Sequence, residues 1–113
     1  MRVLVIGAGR NGAAVIQQLQ KKRDITILTL DPRENLYAVE QGVIASVDIR
    51  EPLTPLNLEA VLEQTRPDLV LLAMPTEDMG LGRAPGIEFL ARALREELAA
   101  LASVPVIEVA RAI

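Results

Sequence analysis

Short aliphatic runs alternate with helical segments along the chain. Continuous apolar runs predict strands that are covered on both faces, since a strand with one wet face would show alternating polarity. Such runs predict five strands, over Val3–Ile6, Ile25–Leu30, Val43–Val47, Asp68–Met74 and Val104–Val109. The segments between them predict helices over Arg10–Lys22, Glu34–Gln41, Leu58–Thr65 and Ile87–Ala102, with Gly42 as the cap that ends the second helix.

Strands that alternate with helices favour crossover connections and a parallel sheet. We therefore expect an α/β fold in which residues 1–113 form a single domain with a doubly wound, five-stranded parallel sheet. The expected strand order is 3-2-1-4-5, with helices on both faces. In such sheets a ligand lies beyond the carboxyl ends of the strands, where the strand order reverses.

A glycine-rich stretch, GAGRNG, directly follows the first predicted strand. In this spacing the first glycine permits a tight turn, the second lets a pyrophosphate approach the backbone, and the third lets the helix pack closely on the sheet. The helix start supplies N–H groups and a partial positive charge. The alternative is a tight turn without a ligand. We expect dinucleotide phosphates to bind at Gly7, Ala8, Gly9, Arg10, Asn11 and Gly12.

Asp31 ends the second predicted strand, at the separation from the glycines that is typical of a ribose-binding acid. Its carboxylate would accept hydrogen bonds from the ribose hydroxyls and repel a 2′-phosphate, so we expect NAD as the cofactor. The predicted site includes the next two residues, Pro32 and Arg33, and the Arg33 charge partly offsets that repulsion. The alternative is that Asp31 only starts an Asp-Pro turn.

Four further residues complete the predicted cofactor site. Asp48 follows the third strand and is expected on the adenine side, although a solvated loop aspartate fits as well. Met74, Pro75 and Thr76 follow the fourth strand and are expected near the middle of the cofactor, with a turn cap as the alternative for Thr76.

The glycine-rich stretch over residues 80–86 favours a mobile loop beside the crevice, with a second anion site at Arg83 as the alternative. The adjacent acids Glu77 and Asp78 are expected to be solvated rather than to act in acid–base chemistry or to bind a metal. We therefore predict no catalytic residue and no metal site.

The amino-acid composition excludes several kinds of catalytic and metal-binding site. The 113 residues include no Cys and no His, which excludes disulfides, Cys/His zinc sites, Ser-His-Asp triads and imidazole catalysis. Net charge is −3, without a basic face for nucleic acid. No apolar run reaches the roughly 18 residues that a membrane span needs. We expect a cytoplasmic protein that binds no nucleic acid and does not insert into a membrane.

Residues 3–31, VLVIGAGRNGAAVIQQLQKKRDITILTLD, resemble the nucleotide-binding (RCK or KTN) domain of TrkA-type potassium-uptake regulators. Arg10, Asp31 and Asp48 match the pattern of that family, and PVIEVARA over residues 105–112 resembles the end of its fifth strand. The chain departs from the family at Val47, usually Gly, and at Met74, usually Thr. The resemblance implies an NAD-binding regulatory domain linked to ion transport. Residues 59–75 are also similar to the domain that precedes ATP-grasp enzymes.

We therefore expect a nucleotide-sensing module that binds NAD(H) or a related adenine nucleotide and acts on a partner or within a homodimer. A hydride-transfer enzyme needs a substrate site and a proton donor, normally from a second domain. The absence of His from this sequence therefore favours a binding module over such an enzyme. The alternative is a minimal or partner-dependent NAD-dependent oxidoreductase, with Arg83 holding a carboxylate and Glu77 or Asp78 moving the proton. A third hypothesis is a structural or interaction protein that binds no nucleotide.

Overall fold

A computed structural model describes residues 1–54, 56–74, 92, 93, 96, 100 and 104–109. The elements with defined bounds are β1 (Arg2–Ile6), α1 (Arg10–Gln20), β2 (Thr26–Leu30), α2 (Tyr37–Glu40), α3 (Leu58–Thr65), β3 (Leu69–Leu72) and β4 (Val106–Glu108). Residues 92, 93, 96 and 100 are helical. The rest of the helix predicted over Ile87–Ala102 and the loop predicted over residues 75–85 lie outside the described residues.

The four strands form one parallel sheet in the order β2-β1-β3-β4. Ile6 at the end of β1 lies opposite Leu30 of β2 on one side and Leu72 of β3 on the other. The chain runs from β1 outward to β2 and then returns to β3 on the other side of β1. The strand order therefore reverses at β1, and the protein has a mixed α/β fold built on a parallel sheet.

The strand predicted over Val43–Val47 is wrong. These residues form bends and irregular backbone after α2, because the N–H groups of Val43 and Ile44 both donate to the carbonyl of Ala38, at 2.8 and 3.2 Å. The chain returns to the sheet only at Ile49, through an isolated parallel bridge to Leu30. The described part of the chain thus has four of the five predicted strands, in the predicted relative order.

The core lies on both faces of β1, since successive side chains of a strand point to opposite sides. Val3 and Val5 pack in one buried cluster with Ile16 of α1. Leu4 and Ile6 pack in another cluster, which includes Leu58 and Val61 of α3. Helices therefore cover both sides of the sheet, as the continuous aliphatic pattern of β1 predicts.

Two residues with positive φ follow helices. Gly42, with φ 72°, comes just after α2 and its N–H donates to the carbonyl of Val39 at 3.1 Å, which confirms the predicted glycine cap. Arg66, with φ 45°, ends α3 in the left-handed region that seldom accepts a side chain. Within the described ranges, no helix is long and apolar enough to cross a membrane.

Candidate functional site

The glycine loop folds tightly onto the carboxyl end of β1. Gly7 has a φ of 115°, and a Cβ added to it would lie 2.8 Å from the Cβ of Met74. Gly12, in the first turn of α1, leaves no room either, because a Cβ there would overlap the carbonyl of Gly7. Both glycines are therefore required by the packing of the loop and the helix on the sheet.

Gly9 is placed differently from the other two glycines. It precedes α1 with φ −78°, which any residue adopts, and no side chain caps the helix there. A Cβ added to Gly9 would meet only the guanidinium of Arg33, with Nη2 3.1 Å away. A small side chain at Gly9 therefore requires only a slight shift of the end of a flexible side chain, so the fold by itself does not require a glycine there.

Asp31 ties the end of β2 to the glycine loop. Its side chain is fully buried, and its Oδ2 accepts a hydrogen bond from the N–H of Ala8 at 2.8 Å. Arg33 supplies three more donors: its backbone N–H and Nε bond to Oδ1 at 2.9 and 3.0 Å, and Nη2 bonds to Oδ2 at 2.7 Å. The carboxylate is thus held by the loop on one side and by a two-pronged guanidinium on the other.

The ionisation of Asp31 follows from these contacts. Burial by itself would raise the pKa of the carboxyl group. The hydrogen bonds from the Arg33 side chain, from the N–H groups of Ala8 and Arg33, and the positive charge of Arg33 together outweigh burial and leave the pKa of Asp31 below its ordinary value. Asp31 is therefore a carboxylate at neutral pH, and its charge is balanced by Arg33.

The segment after Asp31 lies beside the glycine loop and contacts two arginine side chains, those of Arg10 and Arg50. The N–H of Ala38 in α2 donates to the carbonyl of Ala8 at 3.0 Å. The guanidinium of Arg10 lies over the ring of Tyr37, 5.0 Å from its centroid. Nη1 of Arg50 donates to the carbonyls of Arg33 and Glu34, at 2.9 and 3.2 Å. The side chains of Arg10 and Arg50 therefore both contact the segment that follows Asp31.

Asp48 lies at the outer edge of β2. Its Oδ2 accepts hydrogen bonds from the N–H and the hydroxyl of Thr29, and it borders an open cleft of about 410 Å³. The described residues that line this cleft come from α1, β2 and residues 43–48, and none belongs to the glycine loop. The predicted adenine-side role of Asp48 stays a prediction.

The structure brings together most of the residues predicted for the cofactor site. Loop, helix start and strand ends meet at Gly7, Ala8, Gly9, Arg10, Gly12, Asp31, Arg33 and Met74. Asn11 lies in the first turn of α1, and the half-buried Pro32 joins Asp31 to Arg33. Pro75 and Thr76 lie outside the described residues, as do Glu77, Asp78 and Arg83.

Two residues beside the loop are absent from the prediction. Tyr37 is the only tyrosine of the chain, a signal that was available because aromatic residues are so few. Arg50 has no comparable signal, since a lone arginine after a predicted strand is an ordinary surface residue. Only the fold of the segment after Asp31 brings its side chain to the Arg33 carbonyl.

Comparison of the chain with models of known protein families gives no match. Comparison with curated proteins gives no significant match.

Proposed function

We propose that this protein is a Rossmann-like module that binds NAD(H) or a related adenine nucleotide at the glycine loop, residues 7–12. The observation that carries the proposal is the hydrogen bond from the Ala8 N–H to Asp31 Oδ2 at 2.8 Å. It joins the loop after β1 to the acid after β2, at the point where the strand order reverses. In sheets of this kind that point is the usual place of a nucleotide.

The helix start supports an anionic ligand. α1 begins beside Gly9 without a side-chain cap and has no acidic residue in its first turn. The first N–H groups of a helix carry a partial positive charge, which a pyrophosphate can neutralise. Because Gly9 has no side chain of its own, a ligand phosphate that approaches these groups would meet the guanidinium of Arg33 rather than a Cβ.

The resemblance to TrkA-type regulators extends the proposal to a regulatory role. In this role, occupancy of the loop changes how the module contacts a second copy of the chain or another protein linked to ion transport. Light scattering with and without nucleotide tests this extension, because a regulatory module should change its mass or its self-association on binding. An unchanged mass over a wide protein concentration range would count against the homodimer.

Binding itself is tested by calorimetry and thermal unfolding with NAD, NADH, NADP, NADPH, ATP and AMP. A ligand at 100 times its Kd should raise the unfolding free energy by about 2.7 kcal/mol. Gly9→Ala is the informative variant, because the added methyl group meets only the flexible end of Arg33. It should fold normally and lose affinity by about tenfold or more, since the methyl group keeps a phosphate away from the helix start.

Gly42→Ala is the matched control for that variant. It makes the same change at a glycine where an added Cβ meets nothing within 4 Å, although its φ of 72° carries a strain cost. It should lose some stability and keep its nucleotide affinity. If none of the nucleotides binds the native protein, the proposed function is wrong.

A further inference from the structure

The guanidinium of Arg33 occupies the positions on Asp31 that a ribose would use. Nε of Arg33 donates to Oδ1 of Asp31 at 3.0 Å, and Nη2 donates to Oδ2 at 2.7 Å. The guanidinium thus gives one hydrogen bond to each carboxylate oxygen. The hydroxyls of a ribose are also adjacent donors, and an acid at this place in the fold is the usual acceptor for them. The arginine side chain therefore imitates the ribose diol towards this carboxylate.

The Asp31 carboxylate has no room for both groups at once. A carboxylate offers about four acceptor positions. Those of Asp31 receive the two side-chain donors of Arg33 and the backbone N–H groups of Ala8 and Arg33, at 2.8 and 2.9 Å. The side chain of Asp31 is also fully buried. A ribose that reaches this carboxylate must therefore replace the guanidinium of Arg33.

The side chain of Arg33 is able to leave while its backbone stays in place. Its N–H donates to Asp31 Oδ1, and its carbonyl accepts from Nη1 of Arg50, both at 2.9 Å. The side chain itself is 35% exposed, so rotation about its own bonds carries the guanidinium into solvent. In its present position the guanidinium also lies beside the start of α1, with Nη2 3.1 Å from where a Cβ of Gly9 would be. It therefore covers both the acid and the helix start.

We propose that Arg33 is an autoinhibitory side chain, which closes the ribose position of the site until a nucleotide displaces it. This inference rests on the proposed function. A ribose diol gains its hydrogen bonds to Asp31 only by breaking a charge-assisted, two-pronged ion pair, so the exchange leaves little net gain. The ribose hydroxyls thus contribute almost nothing to affinity in the native protein. They contribute fully once the guanidinium is removed.

The test measures how much the ribose hydroxyls contribute to binding. 5′-AMP and 2′,3′-dideoxy-AMP share the base and the phosphate and differ only in the two hydroxyls. Both are titrated by calorimetry into the native protein and into Arg33→Ala, at slightly alkaline pH and fixed ionic strength. The ratio of the two Kd values cancels any effect of the lost positive charge on phosphate binding. We expect the hydroxyls to improve binding less than about threefold in the native protein and about tenfold or more in Arg33→Ala.

Two further variants control the comparison. Arg33→Lys keeps a positive charge but cannot form the two-pronged pair, and it should give an intermediate ratio. Arg23→Ala removes a positive charge from an exposed position after α1 and should keep the native ratio. Equal ratios in the native protein and in Arg33→Ala overturn the inference. A native ratio of about tenfold or more also overturns it, because the ribose then already reaches an acceptor.

The outcomes separate the two proposals. If the native protein and Arg33→Ala bind 5′-AMP with the same ratio to the dideoxy ligand, nucleotide binding stands and the autoinhibitory role of Arg33 is wrong. If neither protein binds any nucleotide, both proposals fail. Should Arg33→Ala not fold, Arg33→Lys carries the same comparison, and a ratio equal to the native one overturns the inference.

Discussion

The Asp48 carboxylate takes the place of a strand carbonyl beside Thr29. Oδ2 of Asp48 accepts from the Thr29 N–H at 2.8 Å and from its hydroxyl at 3.1 Å. In return, the N–H groups of Asp48 and Ile49 donate to the carbonyl of Thr29, at 3.1 and 3.0 Å. The outer edge of β2 is thus completed there by a side chain and one short bridge rather than by a fifth strand.

Asp48→Ala should therefore destabilise the protein by about 1 to 2 kcal/mol, since the N–H of the buried Thr29 loses its acceptor. Asp48→Asn keeps one acceptor oxygen and should cost less. Urea unfolding of these variants, of Thr29→Val and of the double variant Asp48→Ala/Thr29→Val gives the coupling energy between the two residues. Additive losses would show that the hydroxyl contact contributes nothing.

Asp31 should govern part of the acid sensitivity of the fold. Its pKa is lower in the folded protein than in an unfolded chain, so the unfolded chain takes up the proton first as the pH falls. The stabilisation by the Asp31 carboxylate is complete above the pKa of about 3.9 in the unfolded chain. It is lost as the pH falls through the lower pKa of the folded protein. Stability thus decreases towards acid through this carboxyl group.

Asp31→Asn is the variant that checks this linkage. It should be clearly less stable than the native protein at neutral pH, and the difference should shrink as the pH falls below about 3.9. Urea unfolding followed by circular dichroism over this pH range measures the difference, and Asp24→Asn at an exposed turn serves as the control. A difference that does not depend on pH contradicts the assigned role of the Asp31 charge.

Alanine at two glycines of the same loop should destabilise the fold to very different extents. Gly12→Ala forces a methyl group onto the backbone carbonyl of Gly7, which only a shift of α1 or of the loop relieves, so we expect a loss of about 3 kcal/mol or more. Gly9→Ala meets only the end of a flexible side chain and should cost less than about 1 kcal/mol. Thermal unfolding of the two variants side by side measures the contrast, and similar losses would refute it.

Arg66 offers a stabilising substitution. It ends α3 with φ 45°, and its N–H donates to the carbonyl of Leu62 at 2.8 Å, so the backbone bond of the cap is independent of the side chain. Arg66→Gly removes the left-handed strain of about 1 to 2 kcal/mol and increases the entropy of the unfolded chain. We expect a net gain of about 1 kcal/mol in unfolding free energy. Arg66→Ala, which keeps the strain, should show no gain.

Strands and helices with strong local signals are the part of the fold that the sequence predicts well. β1 is an uninterrupted aliphatic run, and Leu58–Thr65 is helical over the predicted bounds. The segment over residues 43–47 is also mainly apolar and forms no strand, because the N–H groups of Val43 and Ile44 bond to the carbonyl of Ala38 in α2. An apolar run indicates that its side chains are buried, but it does not specify which groups form hydrogen bonds with its backbone.

The amino-acid sequence by itself determined the parallel α/β architecture and the place of the glycine loop, since both depend on local periodicity and on residues that tolerate close backbone contact. It also identified Asp31 and Arg33 as neighbours of that loop. Only the tertiary structure decided that Arg33 folds back to occupy the Asp31 carboxylate and that Asp48 completes the edge of β2. These pairings depend on which donors lie within about 3 Å of a buried or edge acceptor, a distance that spacing along the chain does not define.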